Sequence, residues 1–260
     1  MRRGGYFFSA VIISLFVIMT LTPLITAQAA GIDEECATVL KKMTDYVEAQ
    51  QQFLFEAETT EEFIKNDGSK IKVTRTGKAK LKRDNRLQMA ATRDDAHKEL
   101  WYNGSQVTIF DKVENLYATI DVPATIVEAL DFTMDHLDFT MPLIDFFIAD
   151  LYGNFTAELE GSKYEGKDTV GAYTCHHLVF NQDEIDWEIW IEDSTVPVPR
   201  KLVITYKNVE SQPTFEAVFP KWDFTVEFSN DDFIFNPPLG ADETEFLVED
   251  VEEGKEGGDV

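Results

Sequence analysis

The sequence predicts an α+β fold in which a strongly curled antiparallel sheet carries about three helices. Three observations lead there. Apolar and polar residues alternate along most of the chain after Gln52, these alternating runs number eleven or twelve, and two apolar helical stretches interrupt them. Open twisted sheets rarely exceed about ten strands, so a sheet this wide has to curl strongly or close. A helix that is apolar on most sides has to be buried against something large, and the partner available is a sheet face.

The elements follow in order. Glu34 to Gln51 reads as a helix because Val39, Leu40, Met43, Tyr46, Val47 and Gln50 fall near one stripe. At Gln52 the period changes to two, with Phe53, Phe55 and Ala57 alternating against Leu54, Glu56 and Glu58. Asn66-Asp67-Gly68 marks a hairpin turn. The return strand sets Ile71, Val73, Arg75, Gly77, Ala79 and Leu81 against Lys70, Lys72, Lys78, Lys80 and Lys82, giving one largely apolar and one basic face. Strands are predicted at Arg86 to Thr92, Lys98 to Tyr102, Ser105 to Asp111 and Leu116 to Val122, which makes a meander. Pro123 interrupts it and opens a helical stretch in which Ile126, Val127, Leu130, Met134 and Leu137 recur at helical spacing. A second short helix is predicted from Pro142 to Leu151. Strands resume at Asn154 to Leu159, Ser162 to Val170, Ala172 to Asn181, Ile185 to Ile191, Arg200 to Tyr206 and Thr214 to Phe219.

The two ends have their own character. Arg2 and Arg3, the apolar run Tyr6 to Ile25 and the small-x-small site Ala27-Gln28-Ala29 are the three parts of a secretory signal, expected to be cleaved before Ala30. An uncleaved anchor is the alternative, because the apolar run is nearly long enough to span a bilayer. Lipid attachment at Cys36 lacks its motif, since Asp33-Glu34-Glu35 precedes the cysteine. After cleavage no stable membrane span is expected. The domain expectations are a signal peptide over 1–29, one folded domain over 30–246 and a disordered acidic tail over 247–260, where six acids and three glycines leave little to bury.

Charge narrows the partners. Removing the leader leaves 21 basic against 48 acidic residues, a formal charge of −27. A body this acidic is repelled by nucleic acid and by anionic headgroups, which excludes DNA and RNA as partners. The acidity serves solubility, or a positively charged partner. Cys36 and Cys175 sit in an exported chain where a disulfide could persist, although buried free thiols are the other reading.

Cys175-His176-His177, followed by Asp183, Glu184 and Asp186, is the cluster that invites a metal or catalytic reading. In a strand, Cys175 and His177 share one face and His176 takes the other, so neighbouring histidines cannot chelate one ion. A packed or hydrogen-bonded histidine pair is the expectation. Neither a nucleophile elbow, a phosphate loop nor a dinucleotide fingerprint is present, and the reading is of a non-enzymatic protein without a cofactor.

The run Gly171-Ala-Tyr-Thr-Cys-His-His-Leu-Val-Phe180, Trp187-Glu-Ile-Trp-Ile191 and Pro199-Arg-Lys-Leu-Val-Ile-Thr-Tyr206 resembles an uncharacterised family of predicted periplasmic proteins. Lys82-Arg-Asp-Asn-Arg-Leu87, Asn115-Leu-Tyr-Ala118, Met141-Pro-Leu-Ile-Asp145 and Phe235-Asn-Pro-Pro-Leu-Gly-Ala241 support it, and the resemblance covers Glu34 to Phe246. That family is similar to the LolA/LolB superfamily of outer-membrane lipoprotein carriers. The resemblance implies an incomplete, half β-barrel whose concave face is closed by two of the helices, located in the periplasm, with an apolar cavity for the acyl chains of a lipid or lipoprotein. The candidate cavity residues are Ile126, Val127, Leu130, Met134, Leu143, Phe146 and Phe147, for which plain core packing is the alternative. The rival function is an envelope sensor or scaffold acting through protein–protein contacts.

Overall fold

The computed structural model describes residues 31–245 except 66–67, 84, 138–142 and 148, and leaves the side chains of 134–137 undescribed. The predicted signal peptide and acidic tail lie outside the described residues.

Asp33 starts helix α1 (Glu34–Glu48), its carboxylate accepting from the Glu35 and Cys36 N–H groups at 2.9 and 3.0 Å. Glu34 and Glu35 place negative charge at the positive end of the helix dipole. The helix buries Cys36, Leu40, Met43 and Val47 along one stripe. It ends three residues before the predicted Gln51, where Arg83 donates to the Gln50 carbonyl at 2.9 Å and the chain turns into the sheet.

Eleven strands follow as two blocks. The first runs β1 (Gln52–Ile64), β2 (Lys70–Lys82), β3 (Arg86–Arg93), β4 (Ala96–Tyr102), β5 (Gln106–Asp111) and β6 (Leu116–Asp121). The second runs β7 (Gly161–Val170), β8 (Tyr173–Asn181), β9 (Ile185–Glu192), β10 (Pro199–Tyr206) and β11 (Thr214–Asp223). Together with β12 (Asp242–Glu243) they form one sheet ordered β12-β6-β5-β4-β3-β2-β1-β11-β10-β9-β8-β7. The central ladder is β1 against β11, where Leu54 pairs with Asp223 and Glu61 with Phe215 across a bulge at Glu56/Glu58. Hydrogen bonding does not join β7 to β6 or β12, so the sheet is not closed into a full barrel.

This order dictates the helices. The chain leaves the first block at β6, one side of the sheet, and re-enters at β7, the opposite edge. The connection therefore has to cross a face of the sheet, and the burial of Leu130, Phe146, Phe147, Leu151 and Phe155 in the shared core puts it on the concave one. It consists of α2 (Ile126–Leu137), a 3-10 turn (Ile144–Phe147) and α3 (Leu151–Thr156). Two expectations need correction here. The helix predicted over Pro142 to Leu151 is split, because Asp150 takes φ 56° and caps a new helix through the Gly153 N–H. Residues of the predicted strand Asn154 to Leu159 instead form the end of α3 and a following turn, with Leu151 and Phe155 buried one helical turn apart. The alternation of Phe155, Ala157 and Leu159 imitates a strand, yet burial against the core selects the helix.

The outer face is covered on its first block by the chain after β11. Lys82 donates to the Phe228 carbonyl and to Asn230, both at 2.9 Å, and the Phe228 N–H donates to Gln52 at 3.0 Å. Phe235 then meets Trp101, Phe110 and Tyr117 with ring centroids 6.1, 5.3 and 5.2 Å apart. The strap ends in β12, which pairs with Leu116 and Tyr117 of β6. That ladder is parallel, a departure from the wholly antiparallel sheet expected. A strap that crosses the back of the sheet from its centre reaches the side in whichever direction its path dictates.

Cys36 and Cys175 are both free and buried. Cys36 belongs to the core shared by α1 and the sheet, whereas Cys175 points to the other face of β8, beside Glu192 and Arg200. Burial pushes both thiols up to about 11. Both should resist a thiol reagent in the native protein and titrate fully after denaturation without reductant; thiol counting before and after reduction checks this, and a thiol recovered only after reduction would show a disulfide.

A second prediction concerns acid. Lys70, 2.9 Å from Glu62, together with the Thr214 N–H and Lys72, holds the Glu62 carboxyl at about 2 instead of 4.5. A depressed carboxyl stabilises the fold above its unfolded value and loses that contribution as pH falls through its folded value. The stability difference between wild type and Glu62→Gln should be full above about pH 4.5 and vanish as pH falls toward about 2. Chemical denaturation at a series of pH values measures it, and a pH-independent difference would refute the assignment.

Candidate functional site: the concave face and its covering segment

The concave face is built by strand alternation. It presents Phe53, Phe55 and Ala57 from β1, Leu81 from β2, Leu100 and Tyr102 from β4, Phe180 from β8, Trp187, Ile189 and Ile191 from β9 and Phe215, Ala217 and Phe219 from β11, all buried in one cluster. An aromatic hub sits at its centre. Phe55 lies 4.8 Å from Trp222, 5.7 Å from Phe219 and 5.8 Å from Phe147, whose ring is stacked at 11°. Phe146 adds edge contacts to Phe219 and Trp222 at 5.7 and 5.9 Å, and Phe155 stands 5.4 Å from Trp187.

The segment that covers this face is tied down by polar bonds at its two ends. At the first end the Tyr102 hydroxyl donates to the Pro123 carbonyl at 3.0 Å and Asn85 donates to the Ala124 carbonyl at 2.7 Å. At the second, the Leu151 N–H donates to the Glu48 carboxylate, and Gln182 donates to the Ala157 carbonyl at 2.6 Å. Between these ends the described side-chain hydrogen bonds are local. The Thr125 hydroxyl accepts from the Glu128 N–H at 3.3 Å and donates to the Glu128 carboxylate at 2.7 Å, and Thr133 donates to the Ala129 carbonyl at 2.6 Å. The middle of the segment meets the sheet through apolar surface. Burial pushes the Asp145 carboxyl above its ordinary value, as expected for an acid set among Ile144, Phe146 and Phe147.

The seven residues singled out from sequence fall in different places. Leu130, Phe146 and Phe147 are buried in the shared cluster, and Ile126 and Leu143 are half-buried against it. Val127 is 38% exposed, on the flank of α2 turned away from the buried Ala129. The side chain of Met134 lies outside the described residues. Sequence reasoning passed over Ala129 and Thr133, which share the buried face of α2, and Leu151 and Phe155 of α3. The spacing i, i+3, i+4 and i+7 from Ile126 through Ala129 and Leu130 to Thr133 was the available signal for α2, and Asp150 as a helix cap was the signal for α3.

The Cys175-His176-His177 cluster is split between faces, as alternation requires. His176 is hydrogen-bonded to the Tyr164 hydroxyl at 2.8 Å and to Asp193 at 3.1 Å. His177 stacks on Trp190 at 4.1 Å and bonds to Glu188 at 2.7 Å. Each ring has its own carboxylate, and among the described residues no group of three His, Cys, Asp or Glu side chains is gathered to hold a metal ion.

A family model described as predicted periplasmic protein (DUF2092) matches residues 36–247. No curated protein matches the chain. Among solved structures, LprF from Mycobacterium bovis is similar at 12% identity over 79% of this chain and 98% of its own, with a TM-score of 0.48. Lipoprotein LppX of Mycobacterium tuberculosis is similar at 8% identity over 74% and 97%, with a TM-score of 0.46. A LolA superfamily protein from Nitrosomonas europaea is similar at 9% identity over 76% and 96%, with a TM-score of 0.36. At these values the likeness is one of chain trace and assigns this protein no ligand.

The packing separates two roles within the covering segment. Phe146→Ala should destabilise the protein by about 3–5 kcal/mol, because the hub cannot refill the space of a buried ring. Val127→Ser, at a surface position, should stay within about 0.5 kcal/mol. Urea denaturation of both variants tests the contrast, and equal costs would contradict the placement of α2.

Proposed function

This chain belongs to the DUF2092 family of predicted periplasmic proteins, and from that premise we propose that it is a non-enzymatic periplasmic binding protein whose concave face receives an apolar ligand, the acyl chains of a lipid or lipoprotein. The observation that carries the reading is the attachment of the covering segment, polar at its two ends and apolar across its middle. Hydrogen bonds are directional and costly to leave unmade in a dry interior, so the ends stay fixed. Apolar contact is non-directional and scales with area, at about 25 cal/mol per Å². An acyl chain entering beneath the segment would replace one apolar cover with another of the same chemistry. The exchange leaves the buried area of Phe55, Phe219 and Trp222 covered throughout, while each methylene taken from water contributes about 0.8 kcal/mol. Carriage and release then need no chemical step.

Ile126 and Leu143, half-buried against the core, would touch such a chain at its margin. Mass spectrometry of an organic extract of the natively purified protein should find lipid, and a fluorescent fatty acid should bind. Leu143→Ala should weaken that probe about tenfold, since two methylene-sized contacts are worth roughly 1.4 kcal/mol or more, with little loss of stability. Absence of lipid in the extract together with no binding of the probe would remove the carrier reading and leave the scaffold reading in its place.

A further inference from the structure

Away from the concave face, two turns meet at the corner of the sheet where the C-terminal strap joins β6. The first is the β5–β6 turn, in which the Asp111 carboxylate accepts from the Val113 and Glu114 N–H groups at 3.0 and 3.1 Å. The second is Pro238-Leu239-Gly240-Ala241, closed by the Ala241 N–H donating to the Pro238 carbonyl at 3.1 Å, with Gly240 at φ +81°. They are locked to each other. Asn115 donates to the Gly240 carbonyl at 2.6 Å and accepts at its own carbonyl from the Asp242 N–H at 3.1 Å.

The corner so fixed presents Leu239 at 104% exposure, Val113 at 58% and Leu116 at 38%. One exposed leucine is ordinary on a protein surface. Three aliphatic side chains on two interlocked turns and the strand start beside them are a different matter, because the backbone beneath them is already hydrogen-bonded and docking would not have to order it. Nor does the turn ask for leucine. The glycine after it supplies the positive φ, and any residue suits the position before it, with proline favoured there. The surroundings are acidic: Glu114, Asp242, Glu243 and Glu245 are exposed, and among the described residues Glu114, Asp242 and Glu245 have no basic partner within ion-pair distance. Lys112, the cation of this turn, lies 3.8 Å from Glu99.

We infer that this corner is a docking surface for a protein partner bearing an apolar pocket rimmed by lysine or arginine, with Leu239 as the anchor. Anionic lipid fits the apolar part and is repelled by the carboxylates around it. This surface is separate from the concave face and does not depend on its function.

The test uses the full chain and a random peptide library displayed on phage, followed by fluorescence anisotropy of a synthetic consensus peptide. Panning should enrich peptides that combine lysine or arginine with large apolar residues. Binding should fall at least tenfold with Leu239→Ser and with Asp242→Lys, should weaken as salt rises, and should return with Leu239→Met. Neither exposed substitution should change the thermal midpoint or fatty-acid probe binding, which keeps this result apart from that of the carrier test. No enrichment, a consensus without cations, or a peptide bound equally by Leu239→Ser would overturn the proposal. Co-flotation of the protein with anionic or zwitterionic vesicles that depends on Leu239 would overturn it in favour of a membrane contact.

Discussion

A sheet of twelve strands that curls without closing leaves a concave apolar face that its own strands cannot cover. Everything else in this protein answers that constraint. Phe55, Phe219 and Trp222 at the centre of the sheet need a partner, and Phe146, Phe147 and Phe155 supply it from the connection between the two strand blocks. Because β6 and β7 lie toward opposite ends of the sheet order, that connection has to cross one face of the sheet, and its buried apolar side chains put it on the concave one. Topology and hydrophobic burial therefore demand the same segment in the same place. Helix α1 completes the cover, with Leu40, Met43 and Val47 in the same cluster and Glu48 tied to the backbone of α3.

The two faces of the sheet are covered by different means. Inside, the cover is helical and joined mainly through side-chain packing, which permits one apolar surface to be exchanged for another. Outside, the cover is a strap whose Phe228 backbone is held by the side chains of Lys82, which donates to its carbonyl, and Gln52, which accepts from its N–H, and whose Phe235 ring sits among Trp101, Phe110 and Tyr117. The Trp101 indole nitrogen is buried there without a hydrogen-bond partner among the described residues. The strap also protects part of the sheet side at β6, since unpaired strand edges invite association. At β7 protection is local, through the bulge at Tyr164/Gly166 and the charged residues Lys163, Glu165 and Lys167.

Charge is arranged with the same economy. The chain carries 48 acidic residues, yet β2 alone holds Lys70, Lys72, Arg75, Lys78, Lys80 and Lys82. Several face the acids of β1 or the strap: Lys70 and Lys72 meet Glu62, Arg75 meets Glu61 and Lys82 meets the chain near Asn230. The basic face read from the sequence is thus complemented at one end by Glu62 of β1 and at the other by the strap. Within a surface so acidic, the apolar corner around Leu239 stands among carboxylates that have no such complement.

The sequence by itself determined β1 to β11, because alternation is a local property: once Phe53, Phe55 and Ala57 share a face, Leu54 and Glu56 cannot join them, and the split of His176 from His177 follows from the same rule. It determined that Ile126 to Leu137 is a helix and that Leu130, Phe146 and Phe147 are apolar positions to be buried. What only the tertiary structure decided are the matters that depend on residues distant in the chain. Phe155 reads equally as strand or helix until Phe146 and Trp187 are beside it. Val127 and Ala129 cannot be sorted into outside and inside until α2 has a sheet to lie on, and the two-residue strand β12 exists because β6 offers it unpaired backbone. Cys36 and Cys175 remain free because α1 and β8 hold them on different sides of the sheet, a separation that no count of intervening residues contains.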